Sequence, residues 1–216
     1  MKTLRISSFV LALIVATGIS AFAQTDFTAH LTHDQETAQG TLVTSGPTPV
    51  PRPLSSGDAT FTLSADMSQL TMTVTVFNID ITGSQTPNDT NDNLVAAHIH
   101  AGPTAVPGQN ASVVWGFFGT PDNDNNPDQL IITPFASGVG GTFMSIWDAP
   151  EGNNTTLSAQ LNNITSGHSY INFHTNQFGG GEIRGALVPE PSAIVLLAVG
   201  GIGAVYAARK RRRRLE

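Results

Sequence analysis

The chain has 216 residues with a formal charge of −6 and no cysteine, so it can build one ordinary domain but no disulfide or thiolate site. Charge is sorted along it. Of ten Lys and Arg, eight lie at the two ends, and the stretch 24–188 keeps Arg52 and Arg184 against fourteen carboxylates, a formal −12. A domain that acidic has no basic patch for phosphate backbones, which excludes nucleic acid as a partner.

In chain order, Lys2 and Arg5 precede an apolar run from Phe9 to Ile19, and Ala21-Phe22-Ala23 supplies a small-x-small cleavage site. Residues 1–23 are therefore expected to be a signal peptide, with the mature chain beginning at Gln24. Phe27, Ala29 and Leu31 alternate as a first strand, and the four prolines between Gly46 and Pro53 mark a loop. Ala59–Leu63 and Leu70–Phe77 read as a hairpin across Ser64–Ser68. In the second of these strands Leu70, Met72, Val74 and Val76 share one parity and Thr71, Thr73 and Thr75 the other. Further strands are predicted at Leu94–His100, Ser112–Phe118, Leu130–Thr133, Thr142–Trp147, Tyr170–His174 and Glu182–Leu187. Leu157, Leu161 and Ile164 recur at helical spacing behind Thr155 and Thr156, either of which could cap a short helix. The pattern predicts an all-β fold: an antiparallel Greek-key sandwich or barrel with one short helix, an N-terminal signal helix and a C-terminal membrane helix.

The C-terminal segment 189–216 has three parts. Pro189-Glu190-Pro191 is followed by 16 apolar residues from Ala193 to Ala208, at the short edge for a membrane span, and then by Arg209–Arg214. This arrangement resembles the PEP-CTERM tail. The resemblance implies recognition by an exosortase, a transient inner-membrane anchor through the helix, and a destination at the cell surface or outside the cell. It also implies a producer with an outer membrane, often one that makes exopolysaccharide.

Within 24–188 three stretches stand together: Gly57-Asp58-Ala59-Thr60-Phe61-Thr62-Leu63; Ala97-His98-Ile99-His100-Ala101-Gly102-Pro103; and Tyr170-Ile171-Asn172-Phe173-His174-Thr175 running to Gly181-Glu182-Ile183-Arg184-Gly185. In this order they resemble the CHRD domain, named for chordin. Where members of that family usually carry a Pro before the Gly-Glu-Ile-Arg-Gly block, this chain has Phe178-Gly179-Gly180. The resemblance implies a secreted domain without a settled activity.

Histidine carries the sharpest chemistry. His98 and His100 are two apart and so share a strand face; His174 lies on a later strand with Asn172 and Tyr170 on its parity. Three neutral imidazoles from two strands would suit copper or zinc, while single histidines bonded inside the fold are the plainer reading. The pattern is also similar to copper–zinc superoxide dismutase, from which it departs in lacking a bridging-histidine loop and a cysteine pair. His30, His33 and His168 read as surface or turn residues. Glu182 and Arg184 share a strand face, predicting an ion pair there or one from each to a neighbouring strand. The loops Pro87–Asn93 and Pro121–Asp128 read as solvated turns, with calcium as the alternative, since neither has the Gly and Glu positions of an EF-hand. No nucleophile elbow, phosphate loop or zinc-protease motif occurs. Two functions follow as expectations. One is a non-catalytic module of the surface or matrix, with exopolysaccharide or a surface protein as partner and no cofactor. The other is a copper- or zinc-binding exported protein, with superoxide-dismutase-like oxidoreductase chemistry as its enzymatic form.

Overall fold

A computed structural model describes residues 24–37, 40–125 and 130–190. The expected signal peptide, Pro191, the apolar stretch and the basic end lie outside them; among the described residues no helix is long and apolar enough to cross a membrane.

The described residues form ten strands: β1 (Thr25–Thr32), β2 (Ser56–Leu63), β3 (Gln69–Phe77), β4 (Leu94–Ala101), β5 (Val113–Phe118), β6 (Ile131–Pro134), β7 (Gly140–Asp148), β8 (Ser169–Thr175), β9 (Ile183–Ala186) and β10 (Val188–Pro189). One helix, α1 (Leu157–Thr165), lies between β7 and β8, and a short 3₁₀ turn (His33–Gln35) follows β1. The helix starts where expected, because the Thr156 hydroxyl accepts from the Ala159 N–H at 3.2 Å. Leu157 and Ile164 are its buried face.

All strand pairs are antiparallel, in the order β5-β4-β8-β9-β1-β2-β3-β7-β6, with β10 added beside β1. Seven strand spacings separate β5 from β7, a distance of about 34 Å if the sheet were flat. Instead Trp115 of β5 stacks on Trp147 of β7 with ring centroids 5.5 Å apart, and Phe143 of β7 meets Phe173 of β8 at 5.4 Å. The sheet is therefore curled into a half-barrel, closed over its own apolar face, as the strand pattern predicted.

Two kinds of strand result. β3 keeps strict alternation: Leu70, Met72, Val74 and Val76 are buried, and Thr71 and the other threonines face outward. β4 and β8 lose it, since from Ala96 to Ala101 and from Ser169 to Thr175 every residue is buried. Ala97, Ile99, Ile171 and Phe173 fill the inside of the curl. The opposite parity, also hidden from water, is polar: His98, His100, Tyr170, Asn172 and His174. Loops cover that outer face and make it the chemical side of the sheet.

Candidate metal centre

The register places the polar residues. On β4 and β8, His98 faces Asn172, His100 faces Tyr170, and His174 follows two residues after Asn172. Antiparallel neighbours bring such side chains within reach of one another. The centroids of the His98 and His174 rings are 4.8 Å apart, and His100 lies 5.9 and 6.2 Å from them. One ring nitrogen from each lies within 4.8 Å of the others, and among the described residues this is the cluster suited to a metal ion.

Each ring is oriented by a loop. The Nε2–H of His98 donates to Thr120 O at 3.1 Å, the Nδ1–H of His100 to Ala111 O at 2.9 Å, and the Nδ1–H of His174 to Gly179 O at 3.0 Å. A carbonyl oxygen can only accept, so these bonds fix the tautomers. The lone pairs are left on His98 Nδ1, His100 Nε2 and His174 Nε2. His98 Nδ1 and His174 Nε2 stand 3.1 Å apart, and the buried His100 Nε2 bonds to no described group. Two lone pairs at that distance call for something positive between them. With metal–nitrogen bonds of 2.0–2.1 Å, two tetrahedral ligands sit about 3.3 Å apart, which the His98–His174 pair already approximates.

The electrostatics keep the rings neutral. Burial, with the neighbouring His174 and His100 adding to it, pushes His98 down to about 4. His100 is also pushed down to about 4, mainly by burial, against the raising effect of its bond to Ala111. His174 is lowered by burial as well. Neutral imidazole is the form that binds a metal.

A second layer backs the first. Tyr170 stacks on His100 with centroids 4.7 Å apart and planes 7° off parallel, and its hydroxyl accepts from the Ala111 N–H at 3.2 Å. The Arg184 guanidinium lies 4.4 Å from the Tyr170 ring centre. Arg184 also donates to Glu36 through Nε at 2.8 Å and Nη2 at 2.5 Å, and Glu36 in turn accepts from the Asn172 amide. Burial raises the Glu36 carboxyl, with Arg184 opposing it.

Glu182 and Arg184 thus do not pair with each other; each takes a partner from a loop. Glu182, wholly buried, accepts from Arg52 at 2.8 and 2.5 Å, from Thr175 at 2.6 Å and from Ser55. Arg52 comes from the proline-rich loop and Glu36 from the turn after β1, and nothing in their local sequence marks them. The hint was scarcity: the two basic residues of an otherwise acidic domain are the two best placed to neutralise buried carboxylates.

Other expectations need correction. His30 is exposed as expected and His168 is half-buried, but His33 is buried in its turn, with Nδ1 2.6 Å from Glu182 O. The Pro87–Asn93 loop is not simply solvated. Asp89 and Asp92 are buried, Asp89 accepts from Ser45 N and Asn91 N, and Asp92 from Thr86. Asp89 braces the loop by capping backbone N–H groups, and Asp92 by accepting the Thr86 hydroxyl. Part of the Pro121–Asp128 loop lies outside the described residues.

Pro189 pairs with Phe27 in the short β10–β1 ladder, and the Glu190 N–H donates to Asp26 O at 2.8 Å. The first two residues of the predicted sorting motif therefore leave the domain in extended form.

Comparison with protein families finds two matches: the CHRD domain over residues 27–187, and the PEP-CTERM protein-sorting motif over residues 187–213. No curated protein and no solved structure matches the chain.

Proposed function

The chain belongs to the CHRD family and carries a PEP-CTERM motif that marks it for export to the cell surface and for exosortase processing, and from that premise we propose that its CHRD domain is a copper- or zinc-binding module delivered outside the cell. The observation that carries the reading is the tautomer pattern. Three buried imidazoles each spend their N–H on a loop carbonyl and turn a lone pair toward the others. Outer partners that fix tautomer and ring direction are the usual support of metal-binding histidines.

The ligand set chooses the class of metal. All-imidazole coordination, without thiolate or carboxylate, favours zinc or copper over magnesium or calcium. The acidic surface of the domain raises the local concentration of any cation. Delivered to the surface, such a module would hold metal beside the matrix polymer or surface protein it serves. A purely structural CHRD domain is the competing reading.

The test is equilibrium dialysis of the full chain in detergent against copper and zinc. The expected result is one ion per chain, with affinity reduced 10-fold or more in His98→Ala and His100→Ala. At free metal 100 times Kd the fold gains about 2.7 kcal/mol, visible as a higher unfolding midpoint. No bound ion, or one retained equally by both variants, returns the domain to the structural reading.

A further inference from the structure

Asn172 is 1% exposed, and its Oδ1 accepts no hydrogen bond from any described group. Leaving a buried acceptor unpaired costs about 1–3 kcal/mol, so the atom needs a donor. Resting on the metal reading above, we propose that Asn172 belongs to the same centre. Its Oδ1 receives a hydrogen bond from a proton-bearing oxygen ligand (water, hydroxide or a hydroperoxide) held at the coordination position that three imidazoles leave open.

Three observations direct the amide there. First, Asn172 sits in the middle of the polar face, with His98 as its register partner on β4 and Arg184 as its partner on β9. Second, the amide is held one way round. Its Nδ2 donates to the Glu36 carboxylate, which Arg184 holds with two bonds. A carboxylate accepts and an amide oxygen cannot donate, so the group cannot turn over. With Nδ2 engaged by Glu36, Oδ1 is the unpaired arm of an amide whose register partner on β4 is His98. Third, the backbone closes over this clamp at Gly181. A Cβ there would meet Glu36 Oε1 at 2.5 Å and the Asn172 amide nitrogen at 2.6 Å, and the residue has φ +125°.

The chemistry fits the placement. Three neutral ligands leave the metal's full double charge uncompensated, and three-histidine sites keep their fourth position for water or substrate. That charge polarises a bound O–H, whose proton then seeks an acceptor. A buried, oriented amide oxygen supplies one without adding charge.

Load the full chain with copper(II) and titrate azide, following the absorption of the copper. Azide coordinates but has no proton to give, so Asn172 favours the resident oxygen ligand over it. The wild type should bind azide, and Asn172→Leu should bind it about fivefold more tightly or better, with copper stoichiometry unchanged. Copper bound with no azide response, or equal or weaker azide binding by Asn172→Leu, overturns the inference while the metal site stands. A wild type that takes up no copper removes the metal reading itself, and this inference with it. Should Asn172→Leu not fold, water-proton relaxation of the wild-type copper protein decides. Enhancement abolished by azide supports the open position, and no enhancement refutes it.

Discussion

Acidifying the metal-free protein from pH 7 to pH 5 should destabilise it by about 4 kcal/mol through His98 and His100 alone. In the unfolded chain each imidazole titrates near 6.5. In the fold both are pushed down to about 4 by burial and by their histidine neighbours. Between those limits the unfolded state binds more protons, so stability is fully present above 6.5 and drains away as pH falls toward 4. At pH 5 the unfolded chain gains about 2 kcal/mol from each ring while the folded rings stay largely neutral. His174, lowered by the same burial, adds to the loss. Carboxyls that burial raises, such as Glu36, oppose it, so the comparison needs a reference. The double variant His98→Gln, His100→Asn keeps amide donors for Thr120 O and Ala111 O but has no titrating ring there. Denaturant unfolding in a chelator at pH 7, 6 and 5 should show the wild type losing about 4 kcal/mol more than the variant. Parallel pH curves for the two proteins would refute neutral, buried imidazoles and the tautomer assignment built on them.

Further outcomes follow from the neighbouring networks. Arg52→Met leaves the wholly buried Glu182 without its cation and should cost about 3–5 kcal/mol in denaturant unfolding, most of it recovered by adding Glu182→Leu. Asp92 is pushed up to about 6 by burial and by the charges of Asp89 and Asp80. Its ionisation therefore costs stability that is lost as pH rises from about 4 to about 6 and stays lost above, and Asp92→Asn should stabilise by about 2 kcal/mol at pH 8 and not at pH 4. Gly181→Ala drives a methyl into the Glu36–Asn172 contact, so the unfolding midpoint should fall and copper affinity with it. Intact-mass measurement of surface-released protein should find Arg209–Arg214 removed, and replacing Pro189 and Glu190 by Ala should leave that end attached.

How much could be read from the amino-acid sequence depended on what each face touches. β3 announced itself because one side meets water, so polarity alternates along Gln69–Phe77. β4 and β8 are covered on both sides, and alternation there survives only as apolar against polar-but-buried. Even so, parity put His98 with His100 on β4 and Asn172 with His174 on β8, because a strand has no freedom to do otherwise, and the β4–β8 register then set the two pairs on one face. The loop partners stayed hidden. Ala111, Thr120 and Gly179 contribute main-chain oxygens, for which any residue type serves, and Glu36 and Arg52 arrive from turns remote in sequence. His33 was misjudged because a turn histidine is ordinarily wet; here the β8–β9 connection folds over it, and Phe178 packs edge-on against its ring at 4.9 Å.

The three carbonyls that hold the imidazoles belong to three separate connections: β4 to β5, β5 to β6, and β8 to β9. A ring cannot swing without tugging on its own tether. Displacing any one imidazole therefore means moving its loop carbonyl with it or leaving that ring N–H without its acceptor.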